Sequence, residues 1–202
     1  MRQVMKVFSA TELGAKFYLA GGTALALQIG HRKSVDLGFF SPDEDIPLIR
    51  ERLARTLEPF NPLLADSAWG NLVFLAHNIQ VGFYGYGYSM AGNFINAEGT
   101  RLASIEDIGL MKMDAILARA SRKDFHDLYE ICQRIPLKEL LAYAPKKYPY
   151  IRDFESQVAR RLVFFERAEV EESLPLIAPI SWQQVKDYFR QQAILIGRSW
   201  ID

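Results

Sequence analysis

The sequence predicts an α/β chain of the α+β kind, with strands and helices alternating in the first half and helix almost throughout the second. Three observations carry this. Short apolar runs broken by glycine or proline recur up to about residue 103, whereas helical spacing of apolar residues dominates from residue 104 onward. The composition is that of an ordinary globular protein, 50% hydrophobic with 24 Lys plus Arg against 24 Asp plus Glu. At 202 residues the chain can bury a core without disulfide or metal staples. The division is into residues 1–103, an α/β core, and residues 104–202, a helical region. No repeat or low-complexity linker marks it, so the boundary is a change of style.

Taken in order, Phe17–Ala20 reads as a strand, Gly21 and Gly22 as a turn, and the following residues as a short helix ending near Gly30. The segment 34–42 alternates as a strand, with Val35, Leu37 and Phe39 on one face and Asp36, Gly38 and Phe40 on the other. Ile49, Leu53 and Leu57 give 47–57 helical spacing. Residues 71–77 and 78–84 form two strands, a hairpin turning near His77 and Asn78. Ser104 as cap and Asp107 as first-turn acid open a helix over 105–120, and a second covers 124–134. Further helices are predicted over 136–143, 154–169 and 181–193, the last opened by Ser181. Trp182 and Phe189, seven apart, read as core anchors of that last helix.

With Cys132 as the only cysteine, an internal disulfide and a Cys-based zinc site are excluded, and His31, His77 and His126 lack paired ligand spacing. No apolar run approaches a membrane span and the start lacks a signal-peptide stretch, so the expectation is a cytoplasmic protein. Zero net charge argues against a broad nucleic-acid coating. Residues 112–161, however, carry 11 basic and 7 acidic side chains, a local +4 that suits either an anion site or a solvated helical surface.

Three segments could carry chemistry. Gly21, Gly22 and Thr23 at a helix start read either as a tight turn or as a phosphate cradle of backbone amides. Asp36 is a strand carboxylate whose partner at i+2 would complete a metal pair, but that position is Gly38. Lys112 and Arg119, two turns apart, project from one side, while Asp124 and Asp127 share a face beside Lys123. Amphipathic helices with salt-bridged outer faces would look the same. Tyr84, Tyr86 and Tyr88 could present rings to a base or pack inward, and His31 reads as a solvated loop residue beside Arg32 and Lys33.

Together these segments resemble the AbiEii/AbiGii family of nucleotidyltransferase-like toxins, which belong to bacterial type IV toxin–antitoxin and abortive-infection systems. The resemblance runs from Phe17 to Phe189: a glycine pair with Thr, Asp36 some dozen residues on, a Lys helix, then Lys-Asp-x-x-Asp at 123–127. It implies a nucleotidyltransferase-like small mixed sheet flanked by helices, with the helical region packed on the core to form a cleft. By resemblance, Gly21, Gly22 and Thr23, with Arg32, Ser34, Arg119 and Lys123, would bind nucleotide. Asp36 would bind magnesium, and Asp36, Lys112, Asp124 and Asp127 would be the catalytic set. The implied reaction moves a nucleotide from an NTP to an RNA hydroxyl, for some relatives a tRNA 3′ end, and the implied partners are NTP, RNA and a cognate antitoxin.

The sequence departs from that pattern at the metal. The family's Asp-Leu-Asp is here Asp36-Leu37-Gly38, and Gly82 stands where a later strand would offer a third acid. One carboxylate with substrate phosphates and waters can hold a single magnesium ion; a two-metal clamp would need Asp43, Glu44, Asp45 or Asp66 to fold back. The alternative is a catalytically degenerate member that binds nucleotide, RNA or a protein without turnover.

Overall fold

The run Tyr18–Ala20 is buried at every residue and forms strand β1, and the chain then turns directly into helix α2 (Gly21–Ile29). The turn uses Gly21 at φ +71°, a left-handed backbone that glycine adopts without penalty. These elements belong to a computed structural model that describes residues 1–200 except Glu44, Trp69 and Ser173. The chain divides into two compact units, Met1–Gln28 with Ser34–Ser104, and Ile29–Lys33 with the chain from Ile105 onward.

The first unit opens with α1 (Arg2–Ser9), then β1 and α2, and continues through β2 (Leu37–Ser41), a 3-10 turn at Pro47–Ile49 and α3 (Arg50–Thr56). It is completed by β3 (Leu63–Ala68), β4 (Asn71–Ala76), β5 (Ile79–Gly85), β6 (Ile95–Ala97) and β7 (Thr100–Leu102). The strands form one sheet in the order β3-β4-β5-β2-β1-β7-β6, parallel only at β2/β5 and β1/β7. One face buries Leu37, Phe39, Leu72, Phe74, Val81 and Phe83, and Phe8 of α1 packs its ring on Phe39 and Phe83 at 4.5 and 5.0 Å. The expected hairpin turns at His77 and Asn78, at φ 48° and 60°, the positive pair a tight two-residue loop requires.

Three differences from the sequence reading have physical causes. Strand β2 begins at Leu37, so Val35 is 79% exposed and Asp36 immediately precedes the strand. β3, exposed at every position, is an edge strand with no apolar alternation to announce it, and α1, β6 and β7 were equally silent. The helix expected over 154–169 is two, α8 (Phe154–Arg161) and α9 (Glu166–Glu169). Between them Leu162 and Phe165 are buried and Phe165 packs its ring on Phe125.

The second unit is helical: α4 (Ile105–Ala118), α5 (Arg122–Cys132), α6 (Leu137–Ala142), α7 (Ala144–Lys147), then α8, α9 and α10 (Trp182–Arg198). Phe125, Phe189 and Trp182 form its aromatic centre, with ring centroids 5.7 Å from Phe125 to Phe189 and 5.8 Å to Trp182. Helix α10 starts with a capping box in which the Ser181 hydroxyl accepts from the Gln184 amide and the Gln184 side chain accepts from the Ser181 amide. Asp107, read as a first-turn acid, is fully buried and paired with the equally buried Lys147 at 2.7 Å.

Candidate functional site

In the sheet unit the glycine turn is tied to the candidate carboxylate by hydroxyls. Thr23, 2% exposed, donates through Oγ1 to the Asp36 backbone carbonyl and lies 2.8 Å from Ser34 Oγ. Ser34 Oγ in turn donates to Asp36 Oδ1 at 3.1 Å. A threonine hydroxyl carries one hydrogen, so the bond to the carbonyl commits Thr23 to clamping the start of α2 onto the entry to β2. Gly21, Gly22, Thr23, Ser34 and Asp36 are thus held as one group.

The two positions that lack the metal carboxylates lie side by side in the sheet. Gly38 pairs laterally with Ala20 on β1 and Gly82 on β5, making a row of the smallest residues across three strands. In the next row Tyr18, Phe40 and Tyr84 pair in the same register, and their rings stack at 6.0 and 4.8 Å. The aromatic row leans over the glycine row. A Cβ on Gly38 would meet the Phe40 ring at 3.1 Å, and one on Gly82 would meet the Tyr84 hydroxyl at 2.3 Å. A side chain at Gly82 would overlap the Tyr84 ring, and one at Gly38 would press on the edge of the Phe40 ring. Of the alternative acids, Asp43 and Asp45 are exposed, Asp66 lies on the exposed edge strand, and Glu44 falls outside the described residues. Among the described residues no group of three or more His, Cys, Asp or Glu could hold a metal ion. Asp36 alone does not fit a protein-held magnesium site of the two-carboxylate kind.

The helical unit contains the second group. Asp127 and Asp124 on α5 are 0% exposed, and each is surrounded by cations. Asp127 accepts from Arg32 Nε and Nη2 at 2.6 and 2.9 Å, from His31 Nε2 at 2.7 Å, and pairs with Lys112 Nζ at 2.7 Å. Asp124 accepts from Lys112 Nζ at 3.0 Å and from Arg119 Nε and Nη2 at 2.8 and 3.0 Å. Lys112 and Arg32 are buried, whereas the Arg119 side chain is 48% exposed. Burial works to raise the Asp127 carboxyl, but Lys112, Arg32 and His31 outweigh it and hold it well below the usual carboxylate range. Asp124 is lowered in the same way, burial being outweighed by Lys112 and Arg119. Lys112 is raised, its desolvation being overcome by the two aspartates.

Both carboxylates hold cations, Arg32 and Lys112 on Asp127 and Lys112 and Arg119 on Asp124. The face shared by Asp124 and Asp127 is interior, not the solvated outer face that periodicity also allowed. His31 is no solvated loop residue either, since its side chain is 1% exposed and bonded to Asp127. Lys123 is not part of the network and makes no ion pair among the described residues. What the sequence reading missed was a repeated signal, Gly38-Phe39-Phe40 and Gly82-Phe83-Tyr84: a glycine with an aromatic residue two positions on, in two strands that pair.

Known proteins match this architecture. A family profile described as nucleotidyl transferase AbiEii toxin, type IV TA system, matches residues 3–62. The uncharacterized protein aq_aa25 of Aquifex aeolicus is 37% identical over 182 residues, covering 87% of this chain and 85% of its own. JHP933 from Helicobacter pylori superposes with a TM-score of 0.58 at 18% identity, over 98% of this chain and 89% of that one. MenT4, a nucleotidyltransferase toxin of Mycobacterium tuberculosis H37Rv, does so with a TM-score of 0.56 at 15% identity, over 97% and 82%. At such identities the two structures testify to fold. The chain therefore shares a family with aq_aa25, and its N-terminal residues 3–62 match the AbiEii nucleotidyl transferase toxin profile.

Proposed function

We propose that the protein binds an NTP and transfers a nucleotide from it to a hydroxyl of an RNA acceptor, with a tRNA 3′ end as the first acceptor to test and an antitoxin as its regulator. The observation that carries the nucleotide half is the buried network of Arg32, Lys112 and Arg119 on two aspartates. Burying so many charges is expensive unless geometry and pairing are close to ideal, and a cluster of three cations, one of them half exposed, suits an anion such as a triphosphate. Phosphoryl and nucleotidyl transfer demand charge neutralisation and positioning above all. In this reading Arg119, the exposed member, meets phosphate oxygens, while Asp124 and Asp127 hold Lys112, Arg119 and Arg32 in place. Gly21, Gly22, Thr23, Ser34 and Asp36 serve the same reaction on the strength of the family resemblance.

A second reading, nucleotide binding without turnover, is favoured by one observation: the Phe40 and Tyr84 rings are packed against Gly38 and Gly82, the positions that lack the family's carboxylates. The purified protein, incubated with magnesium, each labelled NTP in turn and bulk tRNA, separates the readings. Saturable NTP binding, weakened at least tenfold in Arg119→Ala, with label appearing on RNA, is the expected result. Binding without label transfer selects the second reading. No saturable binding of any NTP and no transfer overturns both.

A further inference from the structure

The helical unit contains a pocket of about 320 Å³ that the network above does not use. Arg122 and His126, one turn apart on α5, form its polar side. Trp182 at the start of α10, with Pro175, Leu176 and Ile180, forms apolar walls. The far wall is pinned to the segment carrying Arg32, because the Lys33 amide donates to the Pro175 carbonyl at 3.2 Å and the Ile177 amide to the His31 carbonyl at 3.0 Å. The volume lies at the lower end of the range of roughly 300–1,000 Å³ typical of small-molecule sites.

The Arg122 side chain forms no ion pair among the described residues, although it helps to lower the Glu169 carboxyl and the Glu171 carboxylate accepts from the Arg122 amide at 2.8 Å and from the Ser121 hydroxyl at 2.7 Å. The Arg122 guanidinium lies 5.1 Å above the Trp182 ring, its Nε has no hydrogen-bond partner among the described residues, and Nη2 reaches only the Glu169 carbonyl at 3.4 Å. The Glu169 carboxylate is committed to Lys186 at 2.6 Å and the Trp182 indole at 3.1 Å. His126, 4% exposed, is pushed down to about 4 by burial, aided by Arg122, Arg32 and His31 and opposed only by Asp127. Its neutral ring is a donor and an acceptor within a positive field.

We propose that this pocket binds a small organic monocarboxylate, its carboxylate set against Arg122 and His126 and its apolar body against Leu176, Ile180 and the prolines. One guanidinium compensates one negative charge, and a planar carboxylate matches its fork. A phosphate dianion would leave a charge uncompensated against apolar walls, where desolvation is costly. This inference does not rest on nucleotide transfer.

The test is titration of the full chain with benzoate and, in parallel, inorganic phosphate, followed by NMR of the His126 ring and the Trp182 indole. Benzoate should saturate at sub-millimolar to millimolar concentration, shift both signals, and raise the His126 midpoint, since a bound anion favours imidazolium. Arg122→Gln should weaken benzoate at least tenfold, and Ile180→Trp, which fills the pocket while keeping its polar side, should do the same. Absence of saturation, tighter binding of phosphate than of benzoate, or equal benzoate affinity in the variants that fold overturns the proposal.

Discussion

The informative residue in this protein is Gly38. On a bare strand its missing side chain is a missing metal ligand, and restoring it would be a simple repair. In the fold the position is already furnished, because a Cβ there lies 3.1 Å from the Phe40 ring, which is stacked on Tyr84 at 4.8 Å. Gly38→Asp therefore presses on the Phe40 ring and places a carboxylate beside the stack. We expect a loss of about 1–3 kcal/mol in urea unfolding, the usual cost of overpacking, with no gain of transfer activity. Trimming the ring in Gly38→Asp/Phe40→Ala makes room, and if nucleotide transfer then rises above the parent's, space and not only charge was limiting. The same scale shows what the aspartates do. Sequence spacing put Asp124 and Asp127 on one face, but only the fold revealed that their carboxylates meet Arg32, Lys112 and Arg119.

At the scale of elements, legibility followed pattern strength. Helices α2, α4, α5 and α10 and the β4/β5 hairpin announce themselves through glycine, capping residues and apolar period, all local properties of the chain. The capping box of α10 is a local device whose value can be measured alone. Ser181→Ala removes the acceptor for the Gln184 amide and should cost about 1 kcal/mol in thermal or urea unfolding without altering nucleotide binding. β3, β6 and β7 were silent because edge and three-residue strands owe their existence to a neighbour, not to their own apolar alternation. The split between α8 and α9 has the same origin, since burial of Phe165 against Phe125 competes with helix continuation.

For the molecule as a whole, net charge zero conceals a helical unit whose interior is ionic. That interior sets the pH response. His126 has a folded value near 4, below its unfolded 6.5, so between these limits the unfolded chain binds the extra proton and stability falls as the pH drops. Asp124 and Asp127 are depressed, so their contribution is present above their unfolded value of 3.8 and disappears as the pH falls through the folded ones. Unfolding free energy should decline from about pH 6.5 downward and then steepen below about pH 4. His126→Phe, followed by urea unfolding across pH 4–7, should flatten the first part of that decline and leave the second; an unchanged slope would contradict the assignment. No helix among the described residues is long and apolar enough to cross a membrane.

The sequence by itself determined the order of elements, the glycine turn, the lone Asp36 and the Lys-Asp-x-x-Asp helix, because these depend on residues near one another along the chain. It also displayed both glycines that displace the expected acids. Only the tertiary structure decided what those residues touch. Lateral pairing set Gly38 beside Gly82 under Phe40 and Tyr84, and burial brought Asp124 and Asp127 against Arg32, Lys112 and Arg119. The physical reason is range. Periodicity and capping act over a few residues, whereas strand register, ring stacking and the desolvation of charge are settled between residues tens of positions apart.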